Sequence, residues 1–69
     1  MKVSARNVLP ATVKRVIPGA VDSEVVMEVA PGIEVVSIIT KASAERLGLK
    51  PGAKAYAIIK APNVMIGVD

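Results

Sequence analysis

The side chains of this sequence that could do chemistry are hydrogen-bond donors rather than acids or nucleophiles. Ser4 and Arg6 lie near the beginning, Thr40 and Ser43 open a segment of helix formers, and Lys60 ends the last alternating run. Hydroxyl, guanidinium and ammonium groups of this kind suit a small anion, which accepts hydrogen bonds. At the head of a helix the first backbone N–H groups lack intrahelical partners, and the aligned peptide dipoles add partial positive charge. Each residue also has a purely structural reading. Thr40 can cap the helix and Ser43 satisfy its first turn. Ser4 and Arg6 can belong to a solvated terminal strand, and Lys60 can be an edge lysine that blocks aggregation. Spacing alone leaves the two readings open.

Most catalytic chemistry is excluded by what is missing. The chain has no histidine and no cysteine, which removes the Ser-His-Asp triad, the usual general base, disulfides and the commonest zinc ligands. Asp22, Glu24 and Glu28 share one run, with the spacing of an ordinary solvated strand face. No G-x-x-x-x-G-K-[ST], G-x-G-x-x-G or H-E-x-x-H motif occurs. An enzyme is therefore not expected. The rival from a different class is a nucleic-acid-binding module. Such modules stack bases on aromatic platforms, each contributing roughly 1–3 kcal/mol, and Tyr56 is the one aromatic residue here. Nine Lys and Arg against six Asp and Glu leave +3. The charges are scattered, a mild bias toward anions without a polybasic tail.

The elements that must position these donors are mostly strands. From Val21 to Val29 the odd positions are Val21, Ser23, Val25, Met27 and Val29, while Asp22, Glu24 and Glu28 fall on the other face. That alternation predicts a half-buried strand. Pro31-Gly32 makes a turn, and Ile33 to Ile39 is apolar on both faces, as expected of a strand with one face against another chain. Ala53 to Lys60 alternates again, and Val64 to Val68 reads as a last short strand. The first strand is expected over Ser4 to Ile17, broken or bulged at Pro10, which cannot donate to a ladder. Between the third and fourth strands, Thr40 is the expected N-cap of a short helix and Gly48 its C′ residue. Five strands with a helix between the third and fourth is the order of an OB-type barrel, with a five-stranded SH3-like barrel as the competitor. The expected fold class is all-β with one short helix.

Size limits what such a chain can do alone. Its 69 residues make one domain, residues 1–69, and a domain of that length buries only about 60% of its unfolded surface. The 52% of hydrophobic residues are mainly Val, Ala and Ile. Without a disulfide, and with little scope for a structural metal, subunit association is the remaining way to stabilise it. The start, Met1 to Asn7, has no apolar leader, and no stretch approaches the ~20 apolar residues of a membrane span. A soluble cytoplasmic protein is expected.

Several motifs together carry a family resemblance. Ser4-Ala5-Arg6-Asn7, Gly19-Ala20-Val21, Thr40-x-x-Ser43-Ala44-x-x-Leu47-Gly48-Leu49, Pro51-Gly52 and Lys60-Ala61-Pro62-x-Val64 span nearly the whole chain. In these the chain resembles the molbindins, small molybdate- and tungstate-binding proteins. It is similar also to the anion-sensing modules of molybdate-responsive regulators and transport ATPases. It departs from the pattern at Asn63, where a bulky or aromatic residue is common, and at Pro10. The resemblance implies an OB-type barrel assembled as a homohexamer, a trimer of dimers, with oxyanions held between subunits. It implies anion contacts from Ser4, Arg6, Thr40, Ser43 and Lys60, with backbone N–H groups near Ala20, Val21 and Ala44. No cofactor is implied, and metal enters only as molybdate or tungstate.

The residue types fit that ligand. Molybdate near neutral pH is a tetrahedral dianion that only accepts hydrogen bonds, and the implied set contains donors and no carboxylate. Phosphate retains a proton that needs an acceptor; burying it among donors costs of order 1–3 kcal/mol, less whatever the hydroxyls accept. Sulfate offers the same pattern in a smaller ion, so it must be rejected by pocket size. Intracellular storage of the oxyanion is the expected role. A nucleic-acid-binding OB module, or a scaffold presenting the anion to cofactor-synthesis enzymes, are the alternatives.

Overall fold

A computed structural model describes all residues, Met1–Asp69. Four strands and one helix form: β1 Asn7–Pro18, β2 Asp22–Ala30, β3 Ile33–Thr40, α1 Lys41–Arg46 and β4 Lys54–Ile59. The strands make one antiparallel sheet in the order β3-β2-β1-β4. The sheet curls so that its edge strands face each other. A cleft of about 280 Å³ is lined by Val35 and Val36 of β3 and by Ile58 and Ile59 of β4. The architecture is an all-β half-barrel with one short helix.

The period-two reading holds for β2 and β4. Ser23, Val25 and Met27 are buried on one face of β2, while Asp22 is exposed and Glu24 and Glu28 are half-buried. Val26 is buried on the opposite face as well. On β4, Ala55, Ala57 and Ile59 turn inward, and Lys54, Tyr56 and Ile58 outward. The core is small. Ala11, Val13, Val25, Met27 and Ala57 form it, and eight of 69 residues are buried in all, so much apolar surface is left without cover. Val36 and Ile38 on the outer face of β3 are among the exposed side chains. No helix is long and apolar enough to cross a membrane.

The first strand departs from expectation. It begins at Asn7 rather than Ser4, and it passes through Pro10 without a break, in register with Tyr56. Proline is tolerated because residues 7–11 pair only with β4. The other edge of this half-strand is free and needs no N–H donor there. The irregularity falls between Val13 and Arg15 instead. There β1 passes from sharing its ladder with β4 to pairing with β2, and the extra residue, Lys14, bends the strand.

The fifth strand does not form within one chain. A 3₁₀ turn covers Ala61–Asn63, and Val64 to Val68 follows without a ladder partner. Met65, Ile66 and Val68 are 94%, 92% and 92% exposed. A strand exists only against another edge, and this segment meets none in its own chain.

The short helix matches its signals. The Thr40 side chain accepts from the Ser43 backbone N–H at 3.1 Å. At the other end Gly48 has φ +65°. Its N–H donates to the Glu45 carbonyl at 3.0 Å, and that of Leu49 to the Ala44 carbonyl at 3.1 Å. This paired arrangement is the Schellman motif, which places a left-handed residue after the helix.

Candidate functional site

The donors expected from the sequence fall into two groups at opposite ends of β1. At the first end Asn7 and Ile59 form the terminal register pair of the β1–β4 ladder. Ser4 and Arg6 lead into this pair from one side, and Lys60 leaves it on the other; all three are exposed. Neither cation has an acidic partner, because the one ion pair of the chain joins Arg15 to Glu34 at 3.4 Å. Like charges brought together across a ladder destabilise it, and an anion placed between them would offset that repulsion. Asn7 ties the corner shut, its Nδ2 donating to the Ile59 carbonyl at 3.2 Å.

At the second end the β1–β2 connection lies against the start of α1. The Gly19 N–H donates to the Asp22 carbonyl, and the Lys41 N–H to the Val21 carbonyl, both at 2.8 Å. Gly19 is required here: a Cβ on it would lie 2.7 Å from the Asp22 carbonyl oxygen. The amides of Ala20 and Val21 have no acceptor in the chain and lie outside every regular element. Beside them the Thr40 Oγ1 donates to the Ser43 Oγ at 2.8 Å. Thr40 thus both accepts and donates locally, which leaves the Ser43 hydroxyl proton free to point outward. Ala44 is buried as the fourth residue of the helix, the position whose amide closes the first turn rather than remaining free. The Asp22 carboxylate is also exposed at this end. The positive charge of the candidate set is therefore concentrated at the first end, and the hydroxyl and amide donors at the second.

No single chain joins the two groups. Asp22 pairs with Thr40 at the far end of the sheet from the Asn7–Ile59 pair. A strand of six residues, the length of β4, covers about 17–20 Å. Donors sharing one small oxyanion, each at ~2.9 Å from an oxygen, sit within roughly 8 Å of one another. The clefts of the protomer, moreover, are lined by other residues and include none of the candidate donors. Each group is thus an open surface in the single chain. Asn7 was not a candidate from sequence. The signal for it was present, a lone carboxamide ahead of the apolar run Val8 to Ala11, but its partner lies 52 residues away.

Comparison with known proteins adds a second line of argument. The TOBE domain family matches residues 3–66. Molybdenum-pterin-binding protein 3 of Clostridium pasteurianum is 48% identical over 66 residues, covering 96% of this chain and 97% of that protein. The molybdenum-pterin-binding protein MopA of Rhodobacter capsulatus is 44% identical over 66 residues, 96% of this chain, but the match spans only 25% of its length. Among solved structures, a molybdate binding protein from Sporomusa ovata superposes with a TM-score of 0.90 at 41% identity, over 99% of this chain and 100% of that one. The cytoplasmic molybdate-binding protein ModG gives a TM-score of 0.93 at 49% identity, over 100% of this chain and 49% of that one.

Proposed function

The chain belongs to the TOBE domain family, and on that basis we propose that it binds molybdate or tungstate between subunits of a homo-oligomer and stores it in the cytoplasm. The observation that carries the reading is the division of the donors. A cationic corner, Ser4, Arg6 and Lys60, and a corner of neutral donors, Ser43 with the Ala20 and Val21 amides, stand at opposite ends of one protomer. Two chains packed with unlike corners together make one complete anion site, with Thr40 orienting Ser43 and Ala44 seating the turn beneath it.

The donor set favours a fully ionised guest. Each molybdate oxygen accepts, and guanidinium, ammonium, hydroxyl and amide groups all donate. Of the three hydroxyls in the set, those of Thr40 and Ser43 are poor places for a ligand proton. Thr40 already accepts from the Ser43 amide, and Ser43 already accepts from Thr40. Hydrogen phosphate therefore brings a proton with few acceptors, at a cost of about 1–3 kcal/mol. Sulfate matches molybdate in hydrogen bonding and is discriminated by its smaller size in a rigid frame.

Assembly is part of the same proposal. Residues 1–69 act as one oxyanion-binding unit, and the barrel gains its fifth strand when the Val64–Val68 segment of a second copy docks on the open β3 and β4 edges. The resemblance to the molbindins implies a homohexamer, a trimer of dimers, as the resulting form. Subunits of +3 each repel, and dianions between them offset that repulsion, so ligand stabilises the assembled form by mass action. Isothermal titration with molybdate, tungstate, sulfate and phosphate, with light scattering for mass, tests the reading. Heat from the two heavy oxyanions and an oligomeric mass are expected. Monomeric protein giving no heat with either would refute it.

A further inference from the structure

We propose that Asn7 is a positioning residue for the anion, holding Arg6 and Lys60 at a spacing where both reach one oxyanion; this rests on the oxyanion reading above. The Asn7 carboxamide is half-buried and donates to the Ile59 carbonyl at 3.2 Å across 52 residues of sequence. Arg6 precedes Asn7 directly, and Lys60 follows Ile59 directly. Residues 1–6 make no backbone hydrogen bond, so no ladder pair of its own fixes the Arg6 backbone, and Asn7 is the nearest residue that has one. Lys60 in turn begins the 3₁₀ turn, its carbonyl accepting from the Asn63 N–H at 2.9 Å. One side-chain hydrogen bond thus ties together Asn7 and Ile59, the chain neighbours of the two cations.

The bond matters because of what it opposes. Two cations without a carboxylate partner repel each other at the end of a ladder, where strand pairing is weakest. Without the tether the empty corner relaxes open, and an incoming anion must draw the cations back together. The cost appears in affinity, while the sheet, held by the remaining pairs from Val8 to Thr12, stays intact.

A double-mutant cycle with molybdate as the titrant separates positioning from general structure. Asn7→Ala is expected to weaken binding at least fivefold in the wild-type background and less than twofold in the Lys60→Ala background, since half of what Asn7 aligns is then gone. Asn7→Gln, which keeps the donor, is expected to recover part of the loss. Equal losses in both backgrounds, or no loss while wild-type protein binds, would overturn the inference alone. Wild-type protein that fails to bind molybdate would overturn the oxyanion reading and this inference with it. The wild-type protein also carries a test that needs no variant to fold. The Asn7 carboxamide resonances in a ¹⁵N-labelled sample are expected to be protected from exchange and to shift at saturating molybdate. Unprotected, unshifted resonances would overturn the proposal.

Discussion

Replacing Lys60 by alanine pulls binding and stability apart, and the structure supplies both magnitudes. Lys60 is exposed and takes part in no ion pair and no side-chain hydrogen bond. Against a dianion at ~4 Å, one positive charge is worth about 2 kcal/mol in water-like surroundings and about 8 kcal/mol at an effective dielectric of 20. Exposure and salt pull the figure toward the lower end, in line with the ~1.5–3 kcal/mol typical of a hydrogen bond to a charged group. Lys60→Ala is therefore expected to raise the Kd for molybdate about 10- to 150-fold. Stability of the empty protein has little to lose, since no ion pair and no side-chain hydrogen bond disappears. The change is expected to stay within ~0.5 kcal/mol, which for a domain of this size is under ~4 °C in Tm. Titration calorimetry gives the first quantity and scanning calorimetry without ligand the second. Added salt is expected to weaken wild-type binding more than that of the variant. A Kd within twofold of wild type would refute the assignment of Lys60 to the site. A fall in ligand-free Tm that accounts for the whole binding loss would show a structural lysine instead.

Gly48→Ala puts a Cβ into open space but at φ +65°, so a loss of about 1 kcal/mol in denaturant unfolding is expected; no loss would show that the turn rearranges freely. Thr40→Val removes both the cap acceptor and the donor to Ser43, with about 1 kcal/mol lost in stability and a further loss in molybdate affinity, whereas Thr40→Ser is expected to retain most of both. Truncation after Asn63 leaves every ladder pair of the sheet in place. Its circular dichroism is expected to persist while its mass by light scattering falls, and an unchanged oligomer would refute the role given to Val64–Val68.

Local chemistry made much of this molecule readable in advance. The alternation of Ser23, Val25 and Met27 with Asp22 and Glu24 follows from the pleat alone, which sends neighbouring side chains to opposite faces. The helix was readable from Thr40 and Gly48 for the same kind of reason, since a cap and a left-handed stop act within a few residues. The donor types of Ser4, Arg6, Thr40, Ser43 and Lys60 were legible as types. Which of them share a corner was not, because that depends on β1 pairing with β4 at one end and with β2 at the other.

Long-range pairing decided the rest. A proline cannot donate to a ladder, so the sequence predicts a break or bulge at Pro10, yet only the sheet order shows that its edge is free, and only the exchange of neighbours along β1 accounts for the bulge at Lys14. Val64 to Val68 has the composition of a strand, but composition cannot supply an edge to pair with, and the segment stands exposed in its own chain. The tether from Asn7 to Ile59 spans 52 residues and leaves no mark in local spacing. Short-range sterics and burial preference act through neighbours in the chain and are written in its order. Register, curl and the meeting of distant strand ends arise from hydrogen bonds between residues far apart in sequence, and only the folded sheet selects among them.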